Sequence, residues 1–121
     1  GRLELVAFET LLTHKVKLVS VVHMSNVLGT INPVAEMAKL VKAKGALFVV
    51  DGAQSVPHMP INVKDLGADF LAFSGHKLCG PTGVGVLWGR YDILKEMQPF
   101  LGGGEMISKV FLEHSTYAVV P

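Results

Sequence analysis

The feature that most constrains this chain is the unbroken apolar run Ala46-Leu47-Phe48-Val49-Val50, closed by Gly45 on one side and by Asp51-Gly52 on the other. A run with no polar alternation reads as a strand buried on both faces. Strands of that kind lie in parallel sheets, whose crossover connections place helices on the faces. The flanking sequence agrees. Lys15 to Met24 (KVKLVSVVHM) is a second run rich in β-branched residues, and between the two runs Val34, Met37, Ala38, Leu40 and Val41 recur at helical spacing. That stripe follows Asn32-Pro33, a capping residue beside a proline at the first helical position, and it stops at Gly45, so a helix of about three turns is predicted. Leu5, Phe8, Leu11 and Leu12 predict a shorter helix within residues 3–12.

Downstream, Pro57 and Pro60 bracket a loop, Val63 to Leu66 suit a helical turn, and Ala68 to Phe73 read as a third strand. Gly75, Gly80, Pro81, Gly83 and Gly85 mark a loop before a strand at Val84 to Trp88, and Tyr91 to Met97 read as a short helix. Gly102-Gly103-Gly104 then break the pattern, either as backbone that approaches a ligand or as a plain connector. The remainder reads as loop with some extended structure. The expected fold class is α/β, a largely parallel sheet with covering helices.

With 121 residues the chain holds one domain at most. Half of its residues are hydrophobic and only 17% are charged, so disorder is excluded and an unusually large share of the sequence expects burial. The net charge of +1, with no run of Lys or Arg, leaves no electrostatic footprint for nucleic acid or an anionic membrane. No apolar stretch approaches the roughly 20 residues that span a bilayer, and the first residues show no signal-peptide pattern. One cysteine allows neither a disulfide framework nor a thiolate zinc site. The five histidines include no pair at the i, i+4 spacing of a helical metal site, so no metal ligands are expected.

In open α/β sheets ligands sit at the carboxyl ends of the strands. Three polar clusters fall there: His23-Met24-Ser25-Asn26, Asp51-Gly52-Ala53-Gln54 and Ser74-Gly75-His76-Lys77. Each has an ordinary explanation alone. Asp51 suits an Asx turn or helix cap, Ser74 a turn cap, and Lys77 a solvated surface charge. Together they offer a carboxylate, amides, a hydroxyl, imidazoles and an amine on one edge. A carboxylate at one strand end and a lysine one strand further on are what a pyridoxal phosphate site requires. The amine forms a Schiff base with the aldehyde, and the carboxylate keeps the pyridine nitrogen protonated. Neither a GxxxxGK[ST] loop nor a GxGxxG strand-to-helix turn is present, since Gly83-Val84-Gly85 precedes a strand. Cys79 reads as a small buried hydrophobe rather than a nucleophile.

The stretches HMSNVLGTINPVAEM (23–37), VVDGAQSVPHMPINVKDLGADF (49–70), FSGHKLCGPTGVGVLWG (73–89) and FLGGGEMI (100–107) resemble the Suf-type cysteine desulfurases. These are class V, fold-type I pyridoxal phosphate enzymes related to selenocysteine lyases. The resemblance implies that residues 1–121 are the central part of the large, cofactor-binding domain, without the small C-terminal domain. It implies Lys77 as Schiff-base lysine and proton shuttle, Asp51 as partner of the pyridine nitrogen, and Gln54 as donor to the ring hydroxyl. Ser74 and His76 would hold the phosphate, and Asn26 would stand near the cofactor and the substrate carboxylate. The implied reaction takes L-cysteine to L-alanine and leaves sulfur as an enzyme persulfide for a Suf-type acceptor protein in iron-sulfur cluster assembly. A homodimer in the cytoplasm or plastid stroma is implied with it. Cys79 receives no sulfur-carrying role. L-selenocysteine lyase or another class V enzyme is the sibling reading, and a non-catalytic excised module is the other alternative. On the resemblance, residues 1–121 alone would be catalytically incompetent, with strand edges left open.

Overall fold

A computed structural model describes residues 1–119 of the chain. The elements run α1 (Leu5–Leu11), β1 (Leu18–Val22), α2 (Val34–Ala43), β2 (Leu47–Asp51), α3 (Ser55–His58), α4 (Val63–Leu66), β3 (Phe70–Ser74), a 3-10 turn (Gly75–Leu78), β4 (Gly85–Gly89), α5 (Tyr91–Glu96), β5 (Ile107–Val110) and β6 (Ser115–Tyr117). Two compact units divide the chain, Gly1–Trp88 and the residues from Gly89 onward. In the first, the strand order is β1-β2-β3-β4. β1 and β2 run parallel with Leu18 opposite Leu47 and Val22 opposite Asp51, and β3 joins β2 in parallel with Asp51 opposite Ala72. The expected α/β sheet is therefore present.

The apolar stripe of α2 explains its seat. Val34, Met37, Ala38 and Val41 are buried, and they meet Phe48 and Val50 of β2 in one cluster with Leu12, Ala46, Ala68 and Leu71. Leu40 is only half-buried. The helix ends in a Schellman arrangement: Gly45, at φ +69°, donates to Lys42 O at 3.0 Å, and Ala46 N–H reaches Val41 O at 3.3 Å. Asp69 closes the amino end of the sheet. Its Oδ2 accepts from Phe48 N–H at 2.9 Å while its own N–H donates to Phe48 O at 2.8 Å.

Four expectations need correction. β2 is not covered on both faces: Phe48 and Val50 are fully buried, but Leu47 and Val49 are half-buried, and Leu18 and Val22 on the same side of β1 are exposed. In α1 it is Leu5 and Phe8, with Leu12 just past its end, that turn to the core, and Leu11 is 73% exposed. Asn32 does not cap α2. Pro33 takes that position without a side-chain cap, and the Asn32 amide donates instead to Val22 O at 2.8 Å. Pro57 lies inside the single turn of α3, where a first-turn residue needs no intrahelical N–H partner.

The second unit consists of α5 and the antiparallel β5–β6 hairpin, with Ala118 N–H on Met106 O at 2.8 Å. Beside α5, the Arg90 guanidinium pairs with Asp92 and holds its carboxyl below the usual carboxylate range.

Candidate active site

Because β1, β2 and β3 are parallel, their carboxyl ends share one edge, and all three polar clusters leave the sheet there. At the end of β1, His23 N–H donates to Asp51 O at 2.8 Å, and His23 O accepts from Asn32 N–H at 2.8 Å. Beyond it Met24 bridges Ile31, Ser25 N–H reaches Thr30 O at 2.9 Å, and Ser25 Oγ accepts from Val27 and Leu28 N–H at 3.2 and 3.3 Å. Asn26 is exposed on this fixed loop.

At the end of β2, one Asp51 oxygen is committed to the turn. Oδ1 accepts from Ala53 N–H at 2.8 Å, which is the Asx geometry the local sequence suggests. Gly52 N–H crosses to Ala72 O at 2.8 Å. A Cβ at 52 would lie 2.9 Å from Leu71 Cδ1 and 3.0 Å from Val56 Cγ2, so any larger residue there requires these two side chains to shift. Gln54 is half-buried at the start of α3.

At the end of β3, half-buried Ser74 leads into the 3-10 turn that carries His76 and Lys77. Gly75 locks this turn from both sides: its N–H donates to Val84 O at 2.8 Å, and its carbonyl accepts from Cys79 and from Gly80, the latter at 2.9 Å. Cys79 adopts the left-handed region at φ 58° to allow it. It is exposed, not buried as expected, since its place in a surface cap offers no core to enter. α3 packs against the lysine turn. Asp51 is level with Ala72, so Ser74 stands two residues, about 7 Å, further along the sheet. Gln54, Asp51, Ser74, His76 and Lys77 are thus gathered on two neighbouring strand ends. The loop that bears Asn26 is tied to them by the His23 to Asp51 backbone link.

Among the described residues, nothing pairs with the Lys77 amine and nothing but Ala53 N–H engages the Asp51 carboxylate. A hollow of about 900 Å³, lined by Leu94, Met97, Met106 and Tyr117, belongs to the second unit and contains none of these clusters. Among the described residues no group of His, Cys, Asp and Glu could hold a metal ion, and no helix is long and apolar enough to cross a membrane.

Three residues here escaped the sequence reading as individual site residues. His23 is 4% exposed, and its Nδ1 is buried with no hydrogen-bond partner among the described residues. Burial pushes its pKa below the ordinary histidine value. The period of two along Val19, Val21 and His23 was the available signal. Ser25, which shapes the Asn26 loop, and His58, four residues after Gln54, had only weak local signals.

A family model described as aminotransferase class-V matches residues 1–121. The chain belongs to the class-V aminotransferases. Membership implies pyridoxal phosphate as cofactor, and the donor set fits it: a free amine, a carboxylate with one open oxygen, and hydroxyl, imidazole and amide donors around them. The class-V chain is 53% identical over 121 residues to a probable cysteine desulfurase of Streptomyces coelicolor, covering 100% of this chain and 29% of that protein. It is 54% identical to a cysteine desulfurase of Haloferax volcanii, covering 100% and 28%. Among solved structures it resembles the cysteine desulfurase CsdA of Escherichia coli with a TM-score of 0.89 at 39% identity, over 98% of this chain and 30% of that one. The apo cysteine desulfurase of Thermococcus onnurineus gives 0.88 at 48% identity, over 100% and 30%. This class-V chain therefore spans under a third of the length of the relatives it matches.

Proposed function

We propose that this class-V chain is the central part of the large domain of a Suf-type cysteine desulfurase, which converts L-cysteine to L-alanine and passes sulfur on as a persulfide for iron-sulfur cluster assembly. The observation that supports the reading most is that Asp51 and the Lys77 turn leave neighbouring parallel strands on one edge, in a chain about half identical to proteins named cysteine desulfurase.

Bound at that edge, pyridoxal phosphate supplies an electron sink for bond cleavage beside an amino-acid α carbon. Lys77 would hold the cofactor through Nζ and would carry a proton at the substrate α carbon. The open oxygen of Asp51 holds a proton at the pyridine nitrogen, while its Oδ1 stays anchored on Ala53 N–H. Gln54 donates to the ring hydroxyl, Ser74 and His76 donate to the phosphate, and Asn26 orients the substrate carboxylate. Cys79 carries no sulfur. A Suf-type acceptor protein receives the persulfide sulfur, a second copy of the protein completes a homodimer, and the setting is the cytoplasm.

The test is formation of L-alanine and protein persulfide from L-cysteine by the complete enzyme of which this chain is the central part, loaded with pyridoxal phosphate. A visible absorption band that disappears in Lys77→Ala is expected. A band retained in that variant would overturn the assignment of Lys77, and turnover of L-selenocysteine with none of L-cysteine would move the reading to a lyase.

A further inference from the structure

The turn that leaves β2 is pinned along its length. Ala53 N–H sits on Asp51 Oδ1 at 2.8 Å, Gly52 N–H on Ala72 O at 2.8 Å, and Val56 N–H on Gly52 O at 2.9 Å. Met59 N–H follows on Ser55 O at 3.0 Å, with Ser55 fully buried. These are backbone ties, or ties to Asp51 itself. The carbonyl of Gln54 is held by a side chain instead. His58 Nδ1, four residues on, lies 2.6 Å from Gln54 O. A carbonyl oxygen only accepts, so Nδ1 must carry the proton, in place of the Nε2–H tautomer that free histidine favours. The contact is local: the His58 ring reaches back one turn to the carbonyl of Gln54, the residue that precedes α3. Among the described residues the Gln54 side-chain amide has no hydrogen-bond partner, and α3 packs against the turn that bears Lys77.

We infer that His58 is a positioning residue for Gln54: by fixing the Gln54 carbonyl, it sets the backbone from which the Gln54 amide is presented to the cofactor. The inference rests on the reading that Gln54 meets the ring hydroxyl of pyridoxal phosphate. With Nδ1 spent on the carbonyl, the role of His58 is one of position. One hydrogen bond of this kind corresponds to about a threefold to tenfold change in an equilibrium constant.

Three variants separate this role from general packing. His58→Phe keeps the ring and removes the donor, His58→Asn places an amide N–H where Nδ1 stood, and Lys77→Ala reports on the cofactor reading alone. Nitrogen NMR of the whole protein is expected to show His58 as the Nδ1–H tautomer. The dissociation constant for pyridoxal phosphate is expected to rise about threefold to tenfold in His58→Phe, with a shifted absorption maximum, and to return toward the wild-type value in His58→Asn. A freely exchanging or Nε2–H tautomer would overturn the inference. So would unchanged affinity and absorption in His58→Phe, or equal losses in Phe and Asn variants. If Lys77→Ala leaves the band in place, the assignment of Lys77 falls, and the His58 to Gln54 tie is still decided by the tautomer.

Discussion

The backbone N–H of His23 rests 2.8 Å from the carbonyl oxygen of Asp51, so the buried histidine of one strand end and the candidate carboxylate of the next are tied through the main chain. The imidazole is 4% exposed, and its Nδ1 finds no hydrogen-bond partner among the described residues. Burial without a partner disfavours the charged ring and lowers its pKa from the ordinary value of about 6.5. The unfolded chain then takes up this proton first as pH falls. Stability that is present above about pH 6.5 is therefore lost as pH drops toward the folded-state pKa of His23. Urea unfolding at pH 8 and pH 5 is expected to show this loss, and His23→Phe to show less of it. A pH dependence identical in the two proteins would contradict the account.

Asp69 gives a prediction that depends on no function. The residue is 2% exposed and pairs both ways with the main chain of Phe48. Asp69→Ala strips the acceptor from a buried N–H at the start of the central strand. It is expected to cost about 2–3 kcal/mol in denaturant unfolding, because hydrogen bonds to charged groups and stranded buried donors lie in that range. Asp69→Asn keeps an acceptor oxygen and is expected to lose about half as much. Equal losses would show that the charge, not the cap, matters.

Why the sheet was legible and parts of the edge were not follows from the same residues. Phe48 and Val50 are apolar in a run bounded by Gly45 and Asp51, which is a signal carried by the chain itself. The exposure of Leu18 and Val22 was not legible, because an apolar run expects cover whether or not the described residues provide it. Asp51, Ser74, His76 and Lys77 could be marked because each ends a strand or lies within three residues of its end. His58 could not, because its role depends on Pro57 being accommodated within a helical turn, where the sequence suggested a loop. Asn32 misled for a related reason: the residue type suits a cap, but the nearby carbonyl of Val22 claimed its amide.

The lysine turn tests how tightly Gly75 holds Lys77. A Cβ at residue 75 would fall 2.8 Å from Val84 Cγ1 and 3.1 Å from Val84 O, in a place where backbone cannot yield cheaply. Gly75→Ala is expected to displace the turn, weakening pyridoxal phosphate binding by at least about tenfold and lowering stability by about 1–3 kcal/mol as overpacking does. Absorption titration with the cofactor measures the first effect and thermal unfolding the second. Wild-type affinity in this variant would mean that the Lys77 side chain finds its place regardless of the backbone.

Cys79 adopts φ 58°, a conformation costing an ordinary L residue roughly 1–2 kcal/mol, and glycine would be free of that cost. Since glycine also gives up about 0.5–1 kcal/mol of chain entropy, Cys79→Gly is expected to be stabilising by up to about 1 kcal/mol. Cys79→Ser keeps a residue of similar size and, in the complete enzyme, is expected to leave persulfide formation nearly unchanged. Loss of persulfide in the serine variant, measured by labelling the protein sulfur after L-cysteine is added, would assign this exposed thiol the sulfur-carrying role withheld from it here.

Asp51 separates geometry from charge. Its Oδ1 holds the Ala53 N–H at 2.8 Å, so removing the side chain would both open the turn and remove the carboxylate. Asp51→Asn keeps an acceptor for Ala53 and is expected to leave the melting temperature within a few degrees, while losing the negative charge proposed to hold a proton on the pyridine nitrogen. In the complete enzyme, turnover of L-cysteine is expected to fall by about a hundredfold or more, the scale on which a single preorganised electrostatic group acts. Asp51→Glu restores the charge on a longer arm and is expected to recover part of that loss, whereas Asp51→Ala recovers none and is also less stable. Equal rates for the asparagine variant and the wild type would remove Asp51 from the chemistry and leave it only the turn it closes.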